Sequence, residues 1–267
     1  MATIAADRSA STASHLPQIR QMEATAFRSW PSARTVFDGT WAVRLTASLP
    51  AKRLNSINPL DPADSSNFER RMARTRRLFD AINRPLVFRL SPLAPPMLEK
   101  HLEADGWQRF DETRVMRAPL ASFDLSQATN RIPLRDVGTW LDAVIAMGGA
   151  AADAKPGIAE LISRIEGESA LFLETTADGQ GASAALAVRL GTMVGLFEVV
   201  TDPRARGRGH GRSVMRSALL WARQHRATTA WLQVVADSAP ANGLYGSLGF
   251  REAYRYAYWA QGKTNDG

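Results

Sequence analysis

The stretch FEVVTDPRARGRGHGRSVMRSALLWAR, Phe197 to Arg223, runs an apolar strand into a glycine- and arginine-dense turn and out into an amphipathic helix. Such a turn can be an anion cradle, a flexible basic segment or a solvent-exposed cap. A phosphate held by backbone N–H groups needs residues without Cβ at the closest points and a helix N-terminus behind them. Gly207, Gly209 and Gly211 alternate just before a helix expected over Ser213–Gln224, so several amides can converge on one pyrophosphate. Arg206, Arg208 and Arg212 add charge-assisted contacts. His210, between two glycines at a helix start, reads as an orienting or solvent-facing group rather than a base. Other phosphate motifs fit poorly. The sole Gly-Lys-Thr, Gly262–Thr264, opens no helix, and the turn is G-x-G-x-G rather than the dinucleotide G-x-G-x-x-G.

Working outward, the order of elements around this turn occurs twice. AVRL stands at Ala42–Leu45 and again at Ala187–Leu190. Each copy continues with a strand, a polar turn, a helix, a strand, a proline-started helix, a Gly-aromatic pair and a final strand. In the first copy these are RLNSINPL, DPADSSN, Phe68–Ile82, PLVFRL, Pro95–Ala104, Gly106-Trp107 and Phe110–Arg117. In the second they are LFEVVT, the glycine turn, Ser213–Gln224, TTAWLQVV, Ala239–Leu248, Gly249-Phe250 and Ala253–Ala260. An ungapped alignment sets Asn55 on Glu198, Glu99 on Asn242 and Leu102 on Tyr245; it also sets ADSSNF (Ala63–Phe68) on RGRGHG (Arg206–Gly211). The first copy therefore has no glycine in its turn and carries Phe68 where Gly211 would be. Two tandem α+β units are expected, over 16–121 and 131–267, joined by the polar stretch Ser122–Asn130. Residues 1–15, small and polar, read as a flexible tail.

Composition narrows the chemistry. The chain has 267 residues, 45% of them hydrophobic, and a net charge of +7 carried almost entirely by arginine. That charge fits an anionic partner, whether nucleic acid, a membrane surface or a phosphorylated small molecule. With no cysteine, disulfides, thiolate metal sites and a cysteine acyl-enzyme are excluded. The four histidines show no metal-ligand spacing, so no metal is expected. No apolar run reaches the roughly 18 residues that span a bilayer, and the start has no apolar h-region, so a cytoplasmic protein without membrane attachment is expected.

The pattern R-x-x-G-x-G at Arg206–Gly211, followed by SAPANGLYGSLGF at Ser238–Phe250, resembles the acetyl-CoA pyrophosphate signature and its downstream helix in the GNAT acyltransferase superfamily. The resemblance covers about 134–262, and the first copy is similar to a degenerate GNAT unit. It implies an α/β (α+β) fold of two tandem GNAT-like units, each with a mixed, mostly antiparallel central sheet flanked by helices. It also implies an N-acetyltransferase that moves an acetyl group from acetyl-CoA to a primary amine by direct transfer in a ternary complex.

By the same resemblance the strand Leu196–Thr201 lies along the pantetheine arm, and amides near Val199 and Val200 polarise the thioester. Thr201, Arg206, Gly207, Arg208, Gly209, His210, Gly211, Arg212 and Asn242 bind the cofactor. Tyr245 matches the tyrosine that protonates the departing thiolate; otherwise it is a core aromatic beside the Gly-Phe turn. Glu198 is the candidate general base, directly or through water, or simply a strand glutamate. Tyr254, Tyr256 and Tyr258 share one face of the last strand and either pack as core or line an acceptor pocket. The expected partners are acetyl-CoA and a small amine or peptide acceptor, without nucleic acid, in a monomer or homodimer. A non-catalytic acyl-CoA-binding regulator is the alternative, and nucleic-acid binding through the arginines would require a steep salt dependence.

Overall fold

The computed structural model describes residues 2–262, with side chains from His15 onward; the last two residues of the Gly-Lys-Thr tail lie outside the described residues. Among the described residues, no helix is long and apolar enough to cross a membrane. The class is mixed α/β, with helices flanking a mixed sheet, as the sequence predicts. The chain divides into two compact units: one gathers residues up to Phe27, Ser32–Arg114 and the stretch from Ala253, the other Arg28–Pro31 and Val115–Glu252.

The first unit opens with α1 (Ala2–Ser29), which runs through the segment expected as a tail. An alanine-rich run without glycine has the propensity to be helical, and Ile19, Met22 and Ala26 then bury one stripe of the helix. There follow β1 (Arg34–Asp38), β2 (Trp41–Leu45), β3 (Ser56–Pro59), α2 (Phe68–Asp80), β4 (Val87–Leu90), α3 (Pro96–Ala104) and β5 (Trp107–Pro119), the last of which belongs to the second unit from Val115 on. Trp41, Ile57, Phe79, Phe88, Leu98, Leu102 and Trp107 build its core.

The second unit holds α4 (Val137–Ala146), α5 (Lys155–Ser163), β6 (Glu168–Thr175), β7 (Gly181–Leu190), β8 (Met193–Thr201), α6 (His210–Gln224), β9 (Thr229–Val235) and α7 (Ala239–Leu248). Strands β6, β7 and β8 are antiparallel, while β8 and β9 are parallel. Helix α6 buries Val214, Met215, Ala218, Leu219 and Ala222, the spacing of one helical face, and this face joins the core.

The last strand, β10 (Arg251–Gln261), departs from the expected boundary. The repeat assigns it to 131–267, yet from Ala253 on it clusters with the first unit. The cause is its antiparallel pairing with β4, from Ala257↔Leu90 to Ala260↔Val87, which brings Trp259 into the first core. Tyr254, Tyr256 and Tyr258 pack as core on one face of this strand. Tyr254 donates to Glu23, which pairs with Arg89 in a fully buried ion pair, and the Arg89 guanidinium lies 3.6 Å from the Tyr256 ring centroid.

Sheet register also corrects the ungapped alignment of the copies. Ala42 pairs with Asn58, and the matching Ala187 pairs with Leu196. Likewise Ile57 faces Phe88 as Gly195 faces Trp231. Asn58 is thus the counterpart of Leu196, and Glu198 falls against Leu60 rather than Asn55. Asn55 instead closes the longer hairpin of the first unit, accepting from the Thr46 amide at 2.7 Å and donating to the Leu49 carbonyl at 2.7 Å.

Candidate active site

The parallel register of β8 with β9 ends at Leu196↔Leu232. Beyond it the two strands part, and a cleft of about 710 Å³ opens between the end of β8 and the start of α7. Val199, Val200 and Thr201 form one wall, Arg206, Gly207, Gly209, Gly211 and Arg212 the base, and Ser238, Pro240, Ala241, Leu244 and Tyr245 the other wall.

A bulge shapes the β8 wall. The register with β7 slips between Ala184↔Val200 and Leu186↔Phe197, and Glu198 takes φ +46°. Left-handed backbone is costly for a residue with a side chain, and a bulge re-aims the residues beside it. Ser183, fully buried on β7, donates to the Val200 carbonyl at 2.6 Å and fixes the strand past the slip. Glu198 is half-buried and is not among the residues lining the cleft.

At the base, α6 begins earlier than the sequence predicts, at His210, with Gly209 as its N-cap. Gly207 and Gly209 take φ +74° and +87°, so the path of the turn itself favours glycine. Gly211 is required for a different reason: a Cβ there would meet Thr201 Oγ1 at 2.9 Å. The glycine-free turn of the first copy takes a different path: its helix starts one position later by the alignment, after Asn67 at φ +56°.

The remaining expected residues separate. Arg212 lines the cleft and donates to Ser247 Oγ at 2.8 Å, tying α6 to α7. Arg208 stands exposed on the outside of the turn. His210 faces away from the cleft lining, with Nδ1 3.7 Å from Glu174 Oε1. Asn242 stands behind the α7 wall; its amide donates to the carbonyls of Val235, Ala236 and Ser238 and holds the loop that carries Ser238 and Pro240. Tyr245 lies in the cleft, packed edge-on against Phe250, and burial pushes its phenol up to about 12. Ser238, Pro240, Ala241 and Leu244 are additions to the expected set, although SAPANGLY already contains them.

A half-open strand edge, a helix N-terminus lined by glycine and arginine and a phenol beside them suit a long ligand with a pyrophosphate at one end and a reactive group at the other. A family model described as "Probable histone acetyltransferase Rv0428c C-terminal" matches residues 16–259. The chain belongs to that family, within the GNAT N-acetyltransferases. It is 25% identical over 248 residues to "Uncharacterized N-acetyltransferase YobR" of Bacillus subtilis, covering 91% of this chain and 98% of that protein. In fold it is similar to a GCN5-related N-acetyltransferase from Kribbella flavida, with TM-score 0.69 at 18% identity over 91% of this chain and 95% of that one. It is also similar to a tandem GNAT protein from the clavulanic acid biosynthesis pathway, with TM-score 0.62 at 14% identity over 90% and 88% of the two chains.

Proposed function

We propose that this N-acetyltransferase moves the acetyl group of acetyl-CoA directly to a primary amine of a small molecule or peptide, using the cleft of the second unit, with the first unit a degenerate GNAT-like domain. The observation that carries the reading is the junction of Gly207, Gly209 and Gly211 at the N-terminus of α6 with Tyr245 across one cleft. Backbone amides of the turn, with Arg206 and Arg212 beside them, hold the pyrophosphate. The edge of β8 that β9 leaves unpaired takes the pantetheine amides, and N–H groups near Val199 and Val200 polarise the thioester carbonyl. The amine nitrogen attacks that carbonyl, its proton passes to Glu198 directly or through water, and the C–S bond breaks.

Tyr245 donates to the sulfur. With its phenol at about 12, the hydroxyl stays protonated at neutral pH. A thiol titrates near 8.5 in water, so full transfer of the phenol proton stays uphill even when the charge on sulfur is complete. Tyr245 therefore serves as a hydrogen-bond donor to the charge growing on the leaving sulfur, which departs as a thiolate and takes its proton from solvent. The test is release of free CoA on addition of single amines. Amine-dependent release supports transfer, whereas tight CoA binding with no release for any amine returns the chain to the non-catalytic acyl-CoA-binding reading.

A further inference from the structure

One buried carboxylate beneath the cleft has no part in this chemistry. Glu174, on β6, is 8% exposed. Its Oε2 accepts from Ser213 Oγ at 2.9 Å and pairs with the Arg131 guanidinium at 2.6 Å, while Oε1 lies 3.7 Å from His210 Nδ1. Both His210 and Ser213 belong to the first turn of α6, the turn whose Gly209 and Gly211 line the cleft. Arg131 comes from the segment before α4, which the bridge Leu134↔Leu171 pins beside β6.

Two effects oppose each other here. The hydrogen bond from Ser213 ties the first turn of α6 to the sheet, so the carboxylate holds the amides in place. Its negative charge, one helical turn from where phosphate is to bind, repels that phosphate in a medium that screens poorly. We propose that Glu174 and Arg131 act together as the positioning pair of the cofactor turn: Glu174 anchors α6 through Ser213, and Arg131 cancels the carboxylate's charge so that the turn keeps its attraction for an anion. This rests on the assignment of the cleft to CoA.

The test is calorimetric titration of the full chain with CoA at low and high salt. Arg131→Ala is expected to weaken binding on the order of tenfold at low salt, less at high salt. Adding Glu174→Gln to it, which keeps an acceptor for Ser213 and removes the charge, is expected to restore affinity to within about twofold of the parent. Arg131→Ala at parental affinity, or a double variant as weak as the single, overturns the pairing. Since a buried carboxylate without its partner can unfold the unit, Glu174→Gln alone decides if Arg131→Ala does not fold. It is expected to bind CoA at least as tightly as the parent, and weaker binding by a folded Glu174→Gln chain overturns the proposal. A parent chain that fails to bind CoA at all refutes the cleft assignment instead, a separate outcome.

Discussion

At the start of α6, Gly211 approaches Thr201 so closely that a Cβ would sit 2.9 Å from its hydroxyl, and the space in front of the turn stays open as part of the cleft. At the start of α2 the matching residue is Phe68. Its ring stacks on Trp41 at 6.3 Å and meets His101, the counterpart of Leu244, at 5.7 Å. Where the second unit has Gly207, the first has Asp64, whose carboxylate pairs with Arg71 at 2.9 Å and accepts from Thr40. The Arg71 guanidinium lies 4.0 Å from the Trp41 ring centroid. The first unit thus supplies its own anion, cation and aromatic plug where the second leaves room for a ligand. Its strand β3 also ends at Pro59, the counterpart of Phe197, so the bulged extension that makes the β8 wall has no equivalent. The same order of elements thus carries two different surfaces: in the first unit side chains of the chain itself fill the volume that the second leaves open as a cleft.

The strongest way to break this contrast is to move the plug. Gly211→Phe places the first unit's residue in the second, and CoA affinity by calorimetry is expected to fall on the order of 1,000-fold, with the unit still folded. An unchanged affinity would dissociate the glycine turn from the cofactor.

The converse change acts on stability. Arg71→Ala removes the buried cation that satisfies Asp64, and denaturant unfolding is expected to show a loss of about 3 kcal/mol. The KM for acetyl-CoA should not move, and a change in it would mean that the first unit contributes to cofactor binding.

Tyr245→Phe sharpens the comparison at the position where the first unit has Leu102. Amine-dependent turnover should fall by about 100-fold while CoA affinity holds. With its phenol at about 12, Tyr245 ionisation should not reduce the parental rate below about pH 11. A loss of rate between pH 9 and 10 that disappears in Tyr245→Phe would contradict the buried, protonated phenol.

The smallest effect concerns acid stability. Burial alone would raise the Asp64 carboxyl, but hydrogen bonds from Thr40 and Arg71 and the Arg71 charge outweigh it and hold the group below its usual value. A depressed folded-state value stabilises above the unfolded one, about 3.9, and that stability is lost as pH falls through the folded value. Asp64→Asn should therefore flatten the decline of Tm below about pH 4.

Much of this was legible in the residues. The order of elements and the glycine turn follow from motif spacing and periodicity, because a strand, a glycine-dense turn and an amphipathic helix each leave a local signature; Tyr245 is singled out by the resemblance of Ser238–Phe250 to the GNAT helix. What failed was what a strand does not write into local sequence. The pairing of Ala42 with Asn58 showed that Asn55 is a hairpin brace and not the counterpart of Glu198, since a shift of register changes no composition. Glu174 lies far upstream of the turn it supports, so no spacing pointed to it.

The amino-acid sequence by itself determined the class of fold, the duplicated order of elements and the glycine turn that opens a helix, because each depends on residues close together in the chain. Only the tertiary structure decided which unit takes β10, where β8 bulges and parts from β9, and which carboxylate lies under α6. Those depend on hydrogen bonds and ion pairs between segments distant in sequence, whose partners are chosen by packing rather than by local pattern.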